Sequence, residues 1–313
     1  MKRPITTPFD AQSTASDVVA GVDLTGKHAM VTGGGGGLGL ETACALASAG
    51  AEVTIAVRNL DQAAGAAHEI AARTGNHRTR AAQLDLADLA SVRKFTGAWS
   101  GPLHILVANA GVMATPERRT PEGRELQFAT NHLGHFALVV GLHDTLAAAG
   151  GARVAVVSSV GHVNGPVRFD DPDFVQEPYD PWLAYAQSKT ANILFAVEAA
   201  QRWAADGIAV NALNPGRIWG TGLGRYMDAP PASFDPSGKS GVSVKNVAQG
   251  AATSVLLAAS PLLEGVTGTY FEDCQEAPAF TPGVRRGVAD YAIDPDNARR
   301  LWDLSVELTG AGH

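Results

Sequence analysis

The chain is poor in cysteine, with only Cys44 and Cys274 among 313 residues. That excludes a disulfide framework and suits a reducing compartment. Neither cysteine joins the nine histidines in a spacing such as C-x-x-C, so no metal site is expected. Charge is sparse at 18%, against 45% hydrophobic residues, which excludes a disordered chain and leaves apolar material for a sizeable core. Basic residues are outnumbered 24 to 31, and the formal net charge is -7. An acidic surface argues against a nucleic-acid partner. Long hydrophobic runs are missing too. No segment approaches the ~18 consecutive apolar residues of a membrane span, and residues 1–22 hold no signal-peptide core. The expectation is a soluble, cytoplasmic protein with no membrane anchor.

What the chain does have is a strand–helix rhythm. Residues 1–22 are polar and aperiodic and read as a loosely attached N-terminal arm. Apolar runs at 28–32, 52–57, 80–86, 103–111, 152–159, 208–216 and 268–272 read as strands. Helical spacing occupies 38–50, 60–74, 88–99, 123–149, 183–206, 243–259 and 295–309. The alternation predicts an α/β fold: one Rossmann-type, doubly wound parallel sheet of about seven strands, with helices on both faces. No linker divides residues 23–313, which are expected to form a single dinucleotide-binding and catalytic domain. Two Pro-, Gly- and Asp-rich segments, 161–182 and 217–242, follow strand C-termini, where open α/β sheets bind ligands. They are candidate substrate walls, with 217–242 the substrate-loop region.

Glycine is abundant, and five stand together in "VTGGGGGLG", residues 31–39, between the first strand and the first helix. A dinucleotide pyrophosphate binds free N–H groups at such a helix N-terminus, and side chains would obstruct the backbone's approach. Thr32-Gly33-x-x-x-Gly37-x-Gly39 differs from the G-x-G-x-x-G spacing. Gly33, Gly37 and Gly39 fit the turn and close-approach positions, and 34–36 read as tolerant of other residues. The bland alternative is a flexible loop. Some 20 residues beyond such glycines, an acid at the end of the second strand would hold the ribose of NAD. Arg58 stands there instead, in "AVRN". A guanidinium suits the 2′-phosphate of NADP, unless Arg58 is an ordinary surface residue. Asp85 ends the third strand, facing the adenine edge or serving as a helix N-terminal acid.

A second constellation is "YAQSK", where Tyr185 and Lys189 share a helix face. An adjacent ammonium lowers a tyrosine's pKa toward the acid–base range. By itself the pair is weak evidence. "VVSSVG" (156–161) adds hydroxyls at a strand end, "LVANAG" (106–111) adds Asn109, and "ATNHLG" (129–134) places Asn131 on the long helix.

Together these motifs resemble the short-chain dehydrogenase/reductase superfamily, from about Asp23 to the C-terminus. "VDLTGK", "NHLGHF", "AYAQSKTANILF" and the long spacing from Ser159 to Tyr185 are similar to its retinol dehydrogenase and WW-domain oxidoreductase branch, in a soluble, bacterial form. The resemblance implies that Tyr185 is the general acid or base. Lys189 would lower its pKa and hold the nicotinamide ribose. Ser159, rather than Ser158, would bond the substrate oxygen, and Asn131 would hold a relay water leading to Lys189. It implies that Thr32, Gly33, Gly37, Leu38 and Gly39 cradle the pyrophosphate. Asp85, Leu86, Asn109 and Gly111 would line the adenosine side. Pro215, Gly216 and Ile218 would lie along the nicotinamide, and Thr221 would bond its amide or a phosphate. It also implies a homodimer or homotetramer, although the branch includes monomers.

Ala108 departs from the family's Asn-Asn-Ala-Gly, Thr221 falls one residue late, and the glycine loop holds no basic residue to assist Arg58. Other residues have bland readings. His162 is a substrate contact or, as is commoner in polar loops, a structural residue. Trp219, Tyr226 and Met227 form an apolar wall or ordinary lid contacts. The acids of "FDDPDFVQEPYD" (169–180) read as a solvated face. The expected activity is NADP(H)-dependent hydride transfer, with NAD as the alternative cofactor, to or from a medium or large apolar alcohol, aldehyde or ketone. Competing expectations are a non-catalytic NADP(H) sensor or scaffold and a sugar-nucleotide epimerase, the latter with little room after Gly216.

Overall fold

The computed structural model describes residues 4–227, 229, 237 and 239–311. In chain order the elements are α1 (Ala15–Val19), β1 (His28–Thr32), α2 (Gly37–Ser48), β2 (Glu52–Val57), α3 (Leu60–Thr74), β3 (Thr79–Gln83), α4 (Leu89–Gly97) and β4 (Ile105–Ala108). There follow α5 (Leu126–Phe128), a π-helical turn (Ala129–Leu133), α6 (Gly134–Gly141), α7 (His143–Ala147), β5 (Arg153–Val157) and a 3₁₀ segment (Val160–Asn164). Then come α8 (Pro181–Arg202), β6 (Ala209–Asn214), α9 (Val247–Ala259), β7 (Tyr270–Glu272), β8 (Gln275–Glu276), α10 (Asp290–Ile293) and α11 (Pro295–Thr309).

The strands form one sheet in the order β3-β2-β1-β4-β5-β6-β7-β8. All pairings are parallel except β7–β8. The strand order reverses direction between β1 and β4, so their C-terminal ends frame a crevice. Alternation along β1 sends Met30 to one face and Val31 to the other. Val31, Val53, Ile55 and Val107 pack with Leu46 of α2 and Leu256 of α9. Met30, Leu106 and Val154 pack with Phe136, Phe195 and Trp302. Both faces are covered, so the central strands are buried almost throughout.

Three expectations change. There are eight strands rather than about seven. Asp273 and Cys274, with φ of +51° and +60°, reverse the chain directly after β7, and a two-residue strand carries no readable period. Residues 4–22 are not a loose arm. Thr14 caps α1, whose Ala15, Val18 and Val19 are buried, while the Ile5 N–H donates to Glu276 Oε2 (2.7 Å) and Thr7 Oγ1 to the Cys274 carbonyl (2.9 Å). Finally, the helix expected over 123–149 is divided by the π turn at Ala129–Leu133 and again after Gly141. Gly134 lets this helix lie against the Leu86 backbone, where a Cβ would fall 2.1 Å from the Leu86 oxygen.

Candidate active site

The glycine loop leaves β1 and enters α2. Gly33 (φ +67°) and Gly37 (φ +54°) occupy left-handed backbone that side chains disfavour. A Cβ on Gly39 would lie 2.4 Å from the Gly33 carbonyl oxygen and 2.6 Å from Asn109 Nδ2. The tolerance expected at 34–36 holds only in part. A Cβ on Gly34 would fall 2.6 Å from Ile55 Cγ2, inside the core of β2, whereas one on Gly36 would meet nothing within 4 Å. Every described helix of nine or more residues carries an Asn or Asp cap except α2, whose N-cap is Gly36 and makes no side-chain cap bond. Its first-turn N–H groups therefore face the crevice with no capping side chain.

Behind the loop, Thr32 joins β1 to β4. Its hydroxyl accepts the N–H groups of Asn109 (2.9 Å) and Ala110 (3.0 Å), and Asn109 Nδ2 donates to the Thr32 carbonyl (2.8 Å). His135 closes the set: Nδ1 donates to the Asn131 carbonyl (3.0 Å), which leaves Nε2 to accept the Thr32 hydroxyl (2.8 Å). This pattern assigns a neutral imidazole. Burial pulls the His135 pKa down to about 4. Asn131 is buried in the π turn, where a bulge redirects a side chain. Its Oδ1 accepts from Val112 N–H (2.8 Å), and Nδ2 donates to the Val112 carbonyl (2.9 Å) and to Ser188 Oγ (2.9 Å). Thr32 and Asn131 are thus behind the cavity wall, which for Thr32 differs from the expected pyrophosphate contact. They position the backbone that the cavity presents.

The other expected residues come together around one cavity of about 890 Å³, from Gly33 and Arg58 at one end to Ser159 and Tyr185 further along. α8 begins at its Asp180 cap, with Pro181 in the first turn, and places Tyr185 and Lys189 on one face. Ser159 Oγ accepts the Gly161 N–H (3.0 Å) and lines the same cavity as the Tyr185 phenol. Ser158 is buried and donates to the Lys189 carbonyl (2.7 Å), so Ser159 is the available hydroxyl. A Cβ on Gly161 would meet the Tyr185 ring at 2.9 Å, so the glycine seats the ring. Lys189 Nζ donates to the Val157 carbonyl (3.0 Å) and lies 5.8 Å from the Tyr185 ring centroid.

Electrostatics differ from the expectation. Burial pushes the Tyr185 phenol up to about 12, opposed by the Ser159 hydroxyl, and pulls Lys189 down to about 8. Burial is the leading cause of both shifts, so the protonated phenol is the prevailing form near neutral pH.

His162 is structural. It is fully buried, its Nδ1 donates to the Ser159 carbonyl (2.7 Å), and Nε2 accepts from Ala289 N–H (3.2 Å). Arg58, Asp85 and Leu86 line the end of the cavity nearest β2 and β3, and Asn109 and Gly111 lie between. Pro215, Gly216 and Ile218 form the opposite wall. Gly250 allows Leu38 and Ile218 to meet over α9, since a Cβ there would lie within 2.8 Å of both side chains. Thr221 stands beside the glycine loop, its Cβ 3.6 Å from a Cβ built on Gly37. Trp219 and Met227 line the cavity, but Tyr226 does not. Within the substrate-loop region, residues 228, 230–236 and 238 lie outside the described residues.

The acids of 169–180 are in part the expected solvated face: Asp170, Glu177 and Asp180 are exposed. Asp173 is buried, accepting from Arg124 Nη1 (2.7 Å) and the Glu125 N–H (2.8 Å), and Asp171 binds the N–H groups of 175–177. Asn164 and Trp182, from the 161–182 segment expected as a substrate wall, line the cavity, as does Arg285, which no motif announced. The last stands a hundred residues beyond Tyr185 in the chain.

Known proteins match this arrangement. A family model for short chain dehydrogenases matches residues 27–171. A probable oxidoreductase of Streptomyces lividans is 55% identical over 300 residues, covering 93% of this chain and 100% of that protein. Human retinol dehydrogenase 13 is 37% identical over 294 residues, covering 92% of this chain and 86% of the human one. A solved structure from Mycobacterium paratuberculosis superposes with a TM-score of 0.74 at 32% identity, over 96% of this chain and 98% of that one. Among the described residues no helix is long and apolar enough to cross a membrane. The chain belongs to the short-chain dehydrogenase/reductase family, in its retinol dehydrogenase-like branch, and is an NAD(P)-dependent oxidoreductase.

Proposed function

We propose that this protein is an NADP(H)-dependent carbonyl reductase or alcohol dehydrogenase acting on an apolar alcohol, aldehyde or ketone. The observation that carries the reading is the convergence of the Tyr185 phenol, the Ser159 hydroxyl and the Lys189 ammonium at one cavity that also holds the uncapped start of α2.

The residues present fit a dinucleotide. The α2 N-terminus and the close-packed loop of Gly33, Gly34, Gly37 and Gly39 form a backbone cradle with N–H groups toward an anion. Thr221 adds a hydroxyl there. Arg58, at the end of β2 with no acid beside it in "AVRN", would hold the 2′-phosphate. Lys189 would hold the nicotinamide ribose, with Pro215, Gly216 and Ile218 along the ring. When bound, the nicotinamide supplies or accepts the hydride.

The chain's own groups do the rest. Ser159 and Tyr185 donate hydrogen bonds to the carbonyl oxygen and stabilise its developing negative charge. Tyr185 then gives its proton to that oxygen. With the phenol pushed up to about 12, it is loaded for reduction. In the oxidative direction the same oxygen must first lose its proton, so that reaction is favoured by alkaline conditions. Asn131 positions Val112 and Ser188, and His162 fixes the Ser159 backbone.

The test is titration with NADPH and NADH, followed by nicotinamide fluorescence, and then transfer of deuterium from C4-deuterated NADPH to a panel of apolar ketones. Much tighter NADPH binding and deuterium on the product carbinol carbon are expected. Equal or preferred NADH binding overturns the role of Arg58, and no binding of either overturns the reading.

A further inference from the structure

Among the described residues five cations line the cavity, Arg58, Lys189, Arg217, Arg225 and Arg285, against a single carboxylate, Asp85. That is a strong bias in a chain of net charge -7. On the proposed function a 2′-phosphate accounts for Arg58 and the nicotinamide ribose for Lys189. Neither accounts for Arg285, which stands beyond Ser159 and Tyr185. There Arg285 Nη1 donates to Asn164 Oδ1 (2.9 Å). Asn164 closes the 3₁₀ segment that begins directly after Ser159, and Trp182, one turn before Tyr185 on α8, lines the same end.

Arg285 differs from its neighbour. Arg286 bonds Glu272 Oε1 (2.9 Å) and pairs with Asp273 (3.4 Å). Among the described residues Arg285 has no carboxylate partner, and its buried Nε donates to nothing. Burial, with no opposing anion, pulls its pKa below the ordinary arginine range. A half-buried guanidinium costs desolvation free energy that a bound anion would offset. Asn164 holds Nη1 and so fixes the guanidinium at the cavity wall.

We infer that Arg285 is a specificity-determining residue, and that the substrate is an apolar carbonyl compound or alcohol that also carries a carboxylate. The inference rests on the oxidoreductase reading of the cavity. The 3₁₀ segment rises about 2 Å per residue, so Asn164 lies roughly 10 Å from Ser159 along it. The carboxylate therefore sits several carbon atoms from the reacting carbonyl, with the chain between them against Trp182 and the apolar wall.

The experiment compares medium-chain oxo-carboxylates with their methyl esters, matched in length and carbonyl position. The acid is expected to exceed the ester in kcat/KM by about ten- to a hundredfold, mainly through KM. Arg285→Met brings the two to parity, and Arg285→Lys restores part of the preference. A purely structural role would lower both and leave their ratio intact. Equal kcat/KM for acid and ester, or a ratio that survives Arg285→Met, overturns the inference. If neither compound is reduced, the activity itself has failed, and Arg285 is read by binding alone. Decanoate and decanol are then titrated against the fluorescence of Trp182 and Trp219. Preference for decanoate that is lost in Arg285→Met supports the inference, and equal binding contradicts it.

Discussion

The two ends of the cavity are built from different materials. At the glycine-loop end the wall is mostly backbone: Gly33 and Gly37 in left-handed conformation, Gly39 against the Gly33 carbonyl, and N–H groups at the start of α2. Thr32, Asn109 and His135 lock it from behind. Beyond Ser159 the wall is side chains from remote segments: Asn164 and Trp182, Trp219 and Met227, and Arg285. Backbone recognition constrains residue type at fixed spacing, because only glycine fits. Side-chain recognition constrains position in space and leaves the sequence free. The first end therefore serves a ligand common to many enzymes, and the second can be retuned without disturbing it.

The largest predicted contrast lies within the glycine run itself. Gly39→Ala forces a Cβ into the Gly33 carbonyl and Asn109, and is expected to weaken NADPH binding by about a hundredfold or prevent folding, a cost of roughly 1–3 kcal/mol or more. Gly36→Ala, in open space, should stay within about twofold. Binding titrations and thermal melts on both variants check this. Equal damage would mean that the loop is needed for flexibility rather than for close packing.

Next in size is the choice of cofactor. Arg58→Gln should weaken NADPH about ten- to a hundredfold while leaving NADH within about twofold, because only the former carries the 2′-phosphate. A parallel loss for both would make Arg58 a general contact and would move the distinction elsewhere.

Each end also has a buried histidine, His135 beneath the glycine loop and His162 beneath Ser159. Burial holds both at about 4, below the ordinary 6.5. Between those values the unfolded chain binds more protons, so stability falls as pH drops through the window and flattens below it. Each group contributes on the order of 1.4 kcal/mol per pH unit. Melting temperature followed from pH 6.5 to about 4 should therefore decline, and an unchanged midpoint would contradict the assigned tautomers.

The smallest effect belongs to the exposed wall. Trp219→Ala should raise KM for an apolar ketone by about tenfold or less and leave NADPH binding unaltered. A matching loss of cofactor affinity would show that the two ends are not independent.

The same contrast explains what was legible in the sequence. The parallel sheet, the glycine loop and the placing of Tyr185 and Lys189 on one helix face could be read because strand–helix alternation, glycine requirements and helical spacing leave local traces, and the family resemblance pointed to Ser159 at the same cavity. Packing left none. Gly34 looked replaceable until β2 placed Ile55 against it, and Asp173 looked solvated until Arg124 met it. The arm looked loose because its anchors, Glu276 and Cys274, are far away in the chain. No local pattern shows that the Asn131 amide holds Val112 and Ser188. The balance between Tyr185 and Lys189 likewise depends on burial, which spacing does not report.

The central claim is that Tyr185 works as a proton donor in a catalytic site. Its most direct test is NADPH-dependent reduction of an apolar ketone by the wild type and Tyr185→Phe, with NADPH affinity measured on both. Loss of turnover by about two to four orders of magnitude with affinity retained is the predicted result. Turnover undiminished in Tyr185→Phe would contradict it, as would a wild type that binds NADPH tightly yet reduces nothing, the behaviour of a sensor.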